Sequence, residues 1–378
     1  MKKIMPLREW MKKIWILPGL WHGEKAFSGP YYVNIDATHR CNMRCAYCRW
    51  HSPLVTDQLL DPAAQKDIDV ELFERLCRDL EVLGSHKVLF CGAGEPALHP
   101  HFLQLVESAK RCKLWVTAYT NGTLFRQISS QDLIDSGLDL IRFSMADSSP
   151  ESYAARHPYV NPGIFEAIWA GIRQLSAAKR AQRKKYPQIE LSIPLDRETM
   201  LHLDEIVDLA IATGIDRLLF SVVLDFGQEN LKSFVLKPQE TAEACQRLEL
   251  IRKRLDSLRL GHNIDDILLR YRTGRPVLES VPCYSAWYFS FVDTSGKVRV
   301  CQRATEFLGD LRTLTFRQIW NGPAYRAFRR QTLGRIDAEA VDQHVDCTYC
   351  PHLANNHRID RFYRWCSFLI QRRKLESR

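Results

Sequence analysis

The run "THRCNMRCAYC", from Thr38 to Cys48, sets three thiols, Cys41, Cys45 and Cys48, at gaps of three and then two residues. Thiols this close along one loop can wrap a metal centre without closing a long stretch of chain. Zinc sites and iron–sulfur clusters ordinarily take four protein ligands, however, and the next cysteine in the chain is Cys77. Three thiolates on a [4Fe–4S] cluster would leave one iron open to a ligand that the protein does not supply. A second group, Cys283, Cys301, Cys347 and Cys350, offers four thiols. Four close either a cluster or a tetrahedral zinc site. Cys77, Cys91, Cys112, Cys245 and Cys366 stand alone.

These residues need elements to hold them. Short apolar, β-branched or aromatic runs occur at "YYVNID", "KVLFCG", "LWVTAY", "LDLIRFS", "IELSIPL" and "DRLLFSVV". Helix-period stretches such as "DVELFERLCRDLEVLG" and "HFLQLVESAKRC" lie between most of them, and Gly84, Gly137 and Gly214 stand where helices would stop. Six strand–helix units in a row predict a parallel sheet, open or curled into a barrel. In such folds chemistry sits at the carboxyl ends of the strands. The cysteine triplet follows the first strand, "GAGEP" the second and "TNGT" the third, while Ser144 ends the fourth. All four therefore belong to one face. A helix, "ETAEACQRLELIRKRLDSL", leads out of the repeat. "WYFSFVDTSGKVRVCQ" then alternates and turns at Ser295-Gly296, as a β-hairpin does.

Taken together and in this order, the motifs resemble the radical S-adenosylmethionine superfamily. Its signature is CxxxCxxC after the first strand, with an aromatic residue (here Tyr47) before the last cysteine. Ala93, Gly94, Glu95 and Pro96 stand at the family's Gly-Gly-Glu-Pro segment, with Ala93 replacing the first glycine. Asn121 lies in the third-strand segment. The match covers residues 31–225. The resemblance implies a partial (β/α)6 barrel of α/β class. It also implies a [4Fe–4S] cluster on Cys41, Cys45 and Cys48, whose open iron is chelated by the methionine moiety of S-adenosylmethionine. Glu95 would accept hydrogen bonds from the cofactor's amino group, Ser144 would contact its ribose and Arg156 would pair with its carboxylate. One electron passed to the sulfonium releases a 5′-deoxyadenosyl radical, which removes a hydrogen atom from an unactivated C–H bond.

The second cysteine group resembles the auxiliary-cluster extension called SPASM, or its shorter relative, twitch. "CTYCPHLANNHRID" offers no further cysteine until Cys366, which argues for one fully ligated auxiliary [4Fe–4S] cluster in a small α+β domain. Structural zinc is the alternative for these four thiols. His344, His352 and Cys366 are spare ligands, read first as packed or surface residues. Cys91, beside the cofactor loop, and Cys245 are candidate hydrogen-atom donors, with ordinary core packing as the plainer reading. The expected divisions are a basic extension over 1–30, the barrel over 31–230, a helical linker over 231–275, the auxiliary domain over 276–355 and a basic tail over 356–378.

The composition is that of a globular protein, with 46% hydrophobic and 26% charged residues. The net charge of +9 is concentrated at the ends. Lys2, Lys3, Arg8, Lys12 and Lys13 alternate with apolar residues, and Arg361, Arg364, Arg372, Arg373 and Lys374 surround Trp365 and Phe368. Such stripes fit docking on the protein's own body or peripheral contact with an anionic membrane face. No apolar run is long enough to span a bilayer, and clustered thiols suit a reducing cytoplasm. Nucleic-acid binding is not expected. The expected function is hydrogen abstraction from a small polar, sugar- or aminocyclitol-like molecule, leading to oxidation, dehydrogenation or epimerisation. The alternatives are a peptide maturase, a lipid-modifying enzyme at the membrane and a non-enzymatic iron–sulfur or zinc protein. A flavodoxin- or ferredoxin-type donor would supply the electron.

Overall fold

The structure, a computed structural model, describes residues 15–54, 67–161, 163–223, 225, 229–273, 281–333 and 350–376, with side chains as far as Phe368. Cys347, His344 and nearly all of the basic N-terminal segment lie outside these residues.

All six expected strands form: β1 (Tyr32–Ile35), β2 (Lys87–Phe90), β3 (Trp115–Thr120), β4 (Leu140–Ser144), β5 (Gln188–Leu195) and β6 (Arg217–Val222). They pair in parallel, each beside its predecessor. Sequential order without reversal is the winding of a barrel rather than of a doubly wound sheet. Gly84, Gly137 and Gly214 take positive φ at the expected helix ends. The helix Val70–Val82 begins where Asp69 accepts the amide of Leu72, and it buries Leu72, Phe73, Leu76 and Leu80 against the sheet. The far edge of β6 is sealed by a short segment. Gly261 accepts the amide of Leu218, while the Asn263 side chain exchanges hydrogen bonds with the backbone of Phe220. This blunts an edge that would otherwise present unpaired amides.

Side chains alternate between the two faces of each strand. Val33, Ile35, Val88, Phe90, Ile141 and Phe143 make the outer face and are buried. The Phe90 ring lies 5.5 Å from Phe73 and 5.8 Å from Phe102, both on covering helices. The inner face is mixed, with Asn34, Tyr119, Arg142, Ser144 and Glu190 among Leu89, Leu140 and Leu219.

The hairpin turns as expected: β7 (Phe289–Val292) and β8 (Lys297–Arg299) are antiparallel, with Gly296 at φ +81°. The small C-terminal region that it opens abuts the barrel directly. β7 lies parallel to β1, and with β9 (Gly309–Asp310) it extends one sheet to nine strands. β1 would otherwise be an open edge, so the C-terminal region completes the barrel sheet and shares its hydrophobic core. The chain before β1 docks here too. Leu17 and Leu20 are buried, Asn321 bonds both backbone groups of Ala26, and the Trp320 indole donates to the Ser28 carbonyl. The expected boundary at residue 356 falls inside one helix, Leu353–Glu376, whose first turns bury Leu353, Asn356, Ile359 and Asp360. Trp15, Trp365 and Phe368 are exposed, and no described helix is long and apolar enough to cross a membrane.

Candidate active site

The loop from Thr38 to Cys48 sits above β1, held from two sides and by a turn of its own. The amide of Ala46 donates to the Arg156 carbonyl (2.8 Å), that of Glu95 to the Arg40 carbonyl (2.8 Å) and that of Cys48 to the Cys45 carbonyl (3.0 Å). Gly94 allows the closest approach. A Cβ there would stand 2.2 Å from the Thr38 carbonyl oxygen and 2.4 Å from that of Arg40, so the two loops nest only because position 94 lacks a side chain. At Ala93 the methyl is accommodated, and its amide donates to Asp36 Oδ1 (3.1 Å).

Cys41, Cys45 and Cys48 are free thiols, each partly buried. Burial pushes Cys41 up to about 11, with the charges of Glu95 and Cys48 adding to the effect. It raises Cys45 well beyond, reinforced by Cys48 and Cys41. Thiols that repel one another's ionisation in a desolvated loop are a donor set that a cationic centre would relieve. Amides help as well: Cys41 accepts from Met43, and Cys48 from Trp50 and His51. Among the described residues no three such side chains converge on one point, as they would around a single ion. A four-iron cluster asks for no such convergence, since each thiolate takes its own iron. The nested loops and three thiols therefore fit that cluster.

The remaining predicted cofactor residues surround this loop. Glu95 is buried, and burial lifts its carboxyl to about 7 against the pull of its hydrogen bonds. Oε2 accepts from the Asn121 amide (2.7 Å) and Oε1 from the Ala97 amide (3.3 Å), so the carboxylate ties the second strand-end loop to the third. The Asn121 side chain reaches Asn42, inside the cysteine loop, at 2.8 Å. Pro96 is buried and opens a short 3₁₀ turn capped by Glu95. Tyr47 rests edge-on to His157 and Phe234. Ser144 is exposed at the carboxyl end of β4, in register with Ser192.

Two predicted residues have other partners among the described residues. The resemblance assigns Arg156 to a cofactor carboxylate, whereas here its buried guanidinium lies between Asp147 (3.1 Å) and Asp196 (2.8 Å). Two protein carboxylates already neutralise it, and its carbonyl holds the cysteine loop. Cys245 lies on the helix Pro238–Ser257, with Arg272 and Glu249 as its charged neighbours, away from the strand-end loops. Cys91 is on the inner face at the end of β2, where burial raises its thiol to about 11 and Arg142 pulls the other way.

At the auxiliary group, Cys283, Cys301 and Cys350 lie together; Cys347 is outside the described residues. Burial pushes Cys301 and Cys350 each to about 12, and the charge of Cys283 adds to both. Amides aim at the sulfurs: Cys301 accepts from Arg303 and Ala304, Cys350 from His352, and Cys283 from Ser285 and the Asn356 side chain. Such donors favour thiolate and suit an iron–sulfur centre. His352 is buried, with Nδ1 3.4 Å from the Tyr32 hydroxyl, and Cys366 packs half-buried on the core. Sequence reading missed Asp36, Asp147, Asp196 and Asn356. Of these only Asp36 leaves a signal, as a polar residue on the inner-face parity of β1.

A partial parallel barrel with an open three-thiol loop at its mouth, joined to a second thiol cluster, defines an iron–sulfur enzyme of the S-adenosylmethionine-cleaving class. The profile of the radical SAM superfamily matches residues 35–210, and that of SPASM, an iron–sulfur cluster-binding domain, matches residues 283–351. The chain belongs to the radical SAM superfamily and carries a SPASM domain; its cofactors are S-adenosylmethionine and [4Fe–4S] clusters, one of them auxiliary. Among curated relatives, the PqqA peptide cyclase of Gluconobacter oxydans is 27% identical over 312 residues, covering 80% of both chains. The tungsten-containing aldehyde ferredoxin oxidoreductase cofactor-modifying protein of Pyrococcus furiosus is 27% identical over 209 residues, 54% of each. Two solved structures share the fold. Streptococcus suis SuiB bound to precursor peptide SuiA has a TM-score of 0.62 at 13% identity, covering 85% of this chain and 71% of that one. Native anSMEcpe with bound AdoMet has a TM-score of 0.61 at 17% identity, covering 90% and 98%.

Proposed function

We propose that this radical SAM enzyme modifies a peptide, removing hydrogen from a side-chain carbon in a net two-electron oxidation such as a crosslink. The observation that carries this reading is the alignment with PqqA peptide cyclase over 80% of both chains. The expectation of a sugar-like small molecule finds no support in that relative, and the peptide alternative does.

When bound, the cluster and S-adenosylmethionine supply the 5′-deoxyadenosyl radical that abstracts the hydrogen atom. The chain's own part is to hold and to shield. Cys41, Cys45 and Cys48 would hold the cluster, Gly94 would let backbone approach the cofactor, and Glu95 and Asn121 would fix the two loops beside it. Asp147 and Asp196 would position Arg156, whose carbonyl steadies the cysteine loop. Cys283, Cys301, Cys347 and Cys350 would hold the auxiliary cluster, which would supply an acceptor for the second electron. A flavodoxin- or ferredoxin-type protein would deliver the first.

The test is anaerobic incubation of the reconstituted enzyme, S-adenosylmethionine and dithionite with short peptides encoded beside its gene. The reading expects one peptide to lose two hydrogens by mass spectrometry while 5′-deoxyadenosine accumulates in equal amount. Turnover of a non-peptide metabolite, with every peptide unaltered, would overturn it.

A further inference from the structure

The inner face of the barrel holds one continuous polar rung below the strand-end loops. In the sheet register Tyr119 faces Arg142, Arg142 faces Glu190 and Glu190 faces Arg217, across β3 to β6. Glu190 is 1% exposed and serves both arginines, with Oε1 accepting from Arg142 Nε and Oε2 from Arg217 Nε at 2.9 Å. The Arg142 guanidinium stacks 4.2 Å over the Tyr119 ring. Among the described residues, each arginine donates side-chain hydrogen bonds through its Nε alone. A guanidinium carries five N–H donors, and its outer fork matches a carboxylate.

The rung holds two positive charges against one negative. Packing alone does not call for it, because a buried ion pair seldom repays its desolvation. The layer above carries small side chains over Arg142 and Glu190. Ser144 is exposed, and Ser192, facing it in the register, is half-buried. Ser144 stands next above Arg142 on β4, Ser192 above Glu190 on β5 and Leu219 above Arg217 on β6, and 43% of the Arg217 side chain is exposed.

We infer that Arg142 and Arg217 form a substrate-binding site for a carboxylate, which selects an acidic residue or a chain terminus and sets the depth at which the substrate enters the barrel. This rests on the peptide reading for the source of the carboxylate, but not for the site. Glu190 acts as the internal counter-ion that pre-aligns both forks and limits their affinity, and Tyr119 fixes the plane of Arg142.

The test uses reconstituted holoprotein saturated with S-adenosylmethionine and isothermal titration with three probes. These are N-acetyl-glutamate α-methylamide, the corresponding glutamine compound and N-acetyl-alanine, which has only a terminal carboxylate. One carboxylate probe is expected to bind at least tenfold tighter than the glutamine compound, and which one does so tells side-chain from terminal origin. Arg217→Gln should weaken it about tenfold or more and Arg217→Lys less, as expected for a charge-assisted fork. Glu190→Gln should tighten it, which a merely structural ion pair would not do. Arg142→Gln is read only where iron content and melting temperature match the parent, and the other variants carry the test where they do not. Equal binding of all probes, no binding, or affinity unmoved by both Arg217→Gln and Glu190→Gln would overturn the site. A carboxylate probe that binds only in the absence of S-adenosylmethionine would assign the anion to the cofactor and overturn the substrate role. A carboxylate site in an enzyme that turns over no peptide would leave the site standing and remove the peptide reading. Peptide turnover indifferent to acidic groups would do the reverse.

Discussion

Glu95 shows how a buried carboxyl reports on its surroundings. Burial lifts it to about 7, above the ordinary carboxyl range near 4.3. The native protein therefore keeps a proton that the unfolded chain releases, and this group's contribution to stability falls as pH rises from about 4 through 7. The Glu95→Gln apo-protein should gain melting temperature relative to its parent between pH 5 and pH 8. A difference constant across that range would mean that Glu95 is ionised in the fold throughout. At this scale the sequence was most legible where spacing is local. The three cysteines and the Gly94-Glu95 pair could be read because each motif occupies a few consecutive residues. Arg156 could be read as functional in type but not in partner. Asp147 and Asp196 reach it through the fold, Asp196 from 40 positions away, and nothing along the chain announces that distance.

Among the elements, the joints deserve testing more than the strands. Gly94→Ala puts a Cβ against two backbone carbonyls that have no side chain to move aside, so the loops must part. Its expected cost is about 1–3 kcal/mol, with lower iron loading after reconstitution, read by thermal melting and iron assay. A second joint is Arg329, which is 0% exposed and lies 4.5–5.2 Å from the ring centroids of Trp320, Trp287 and Tyr325. It donates to the Glu24 carbonyl at 3.2 Å, which ties the segment before β1 to the helix Pro323–Leu333. Arg329→Ala should destabilise by about 3 kcal/mol or more and expose residues 17–29 to protease. Its neighbour Arg330, mostly exposed and paired with Glu24, should cost under about 1 kcal/mol when replaced by Ala. The hairpin around Gly296 was readable from its alternation and turn residues. That β7 would lie beside β1 was not, because strand pairing over more than 250 residues leaves no local trace.

In the whole molecule, the barrel strands and the hairpin that leads to Cys301 form one nine-stranded sheet, and Cys41, Cys45 and Cys301 pack on one hydrophobic core, so the auxiliary site is built against the barrel rather than tethered to it. Cys48→Ala and Cys301→Ala should each lower reconstituted iron by about four per chain, and Cys48→Ala should also abolish 5′-deoxyadenosine formation. Loss of all iron from either variant would show that the two sites fold as one. The central claim is that this chain takes a hydrogen atom from a peptide carbon. Its most direct test is a candidate peptide deuterated at its side-chain carbons, with the released 5′-deoxyadenosine weighed by mass spectrometry. The account predicts 5′-deoxyadenosine heavier by one deuterium and formed only as the peptide is consumed. Unlabelled 5′-deoxyadenosine from a peptide that is nonetheless modified would contradict it.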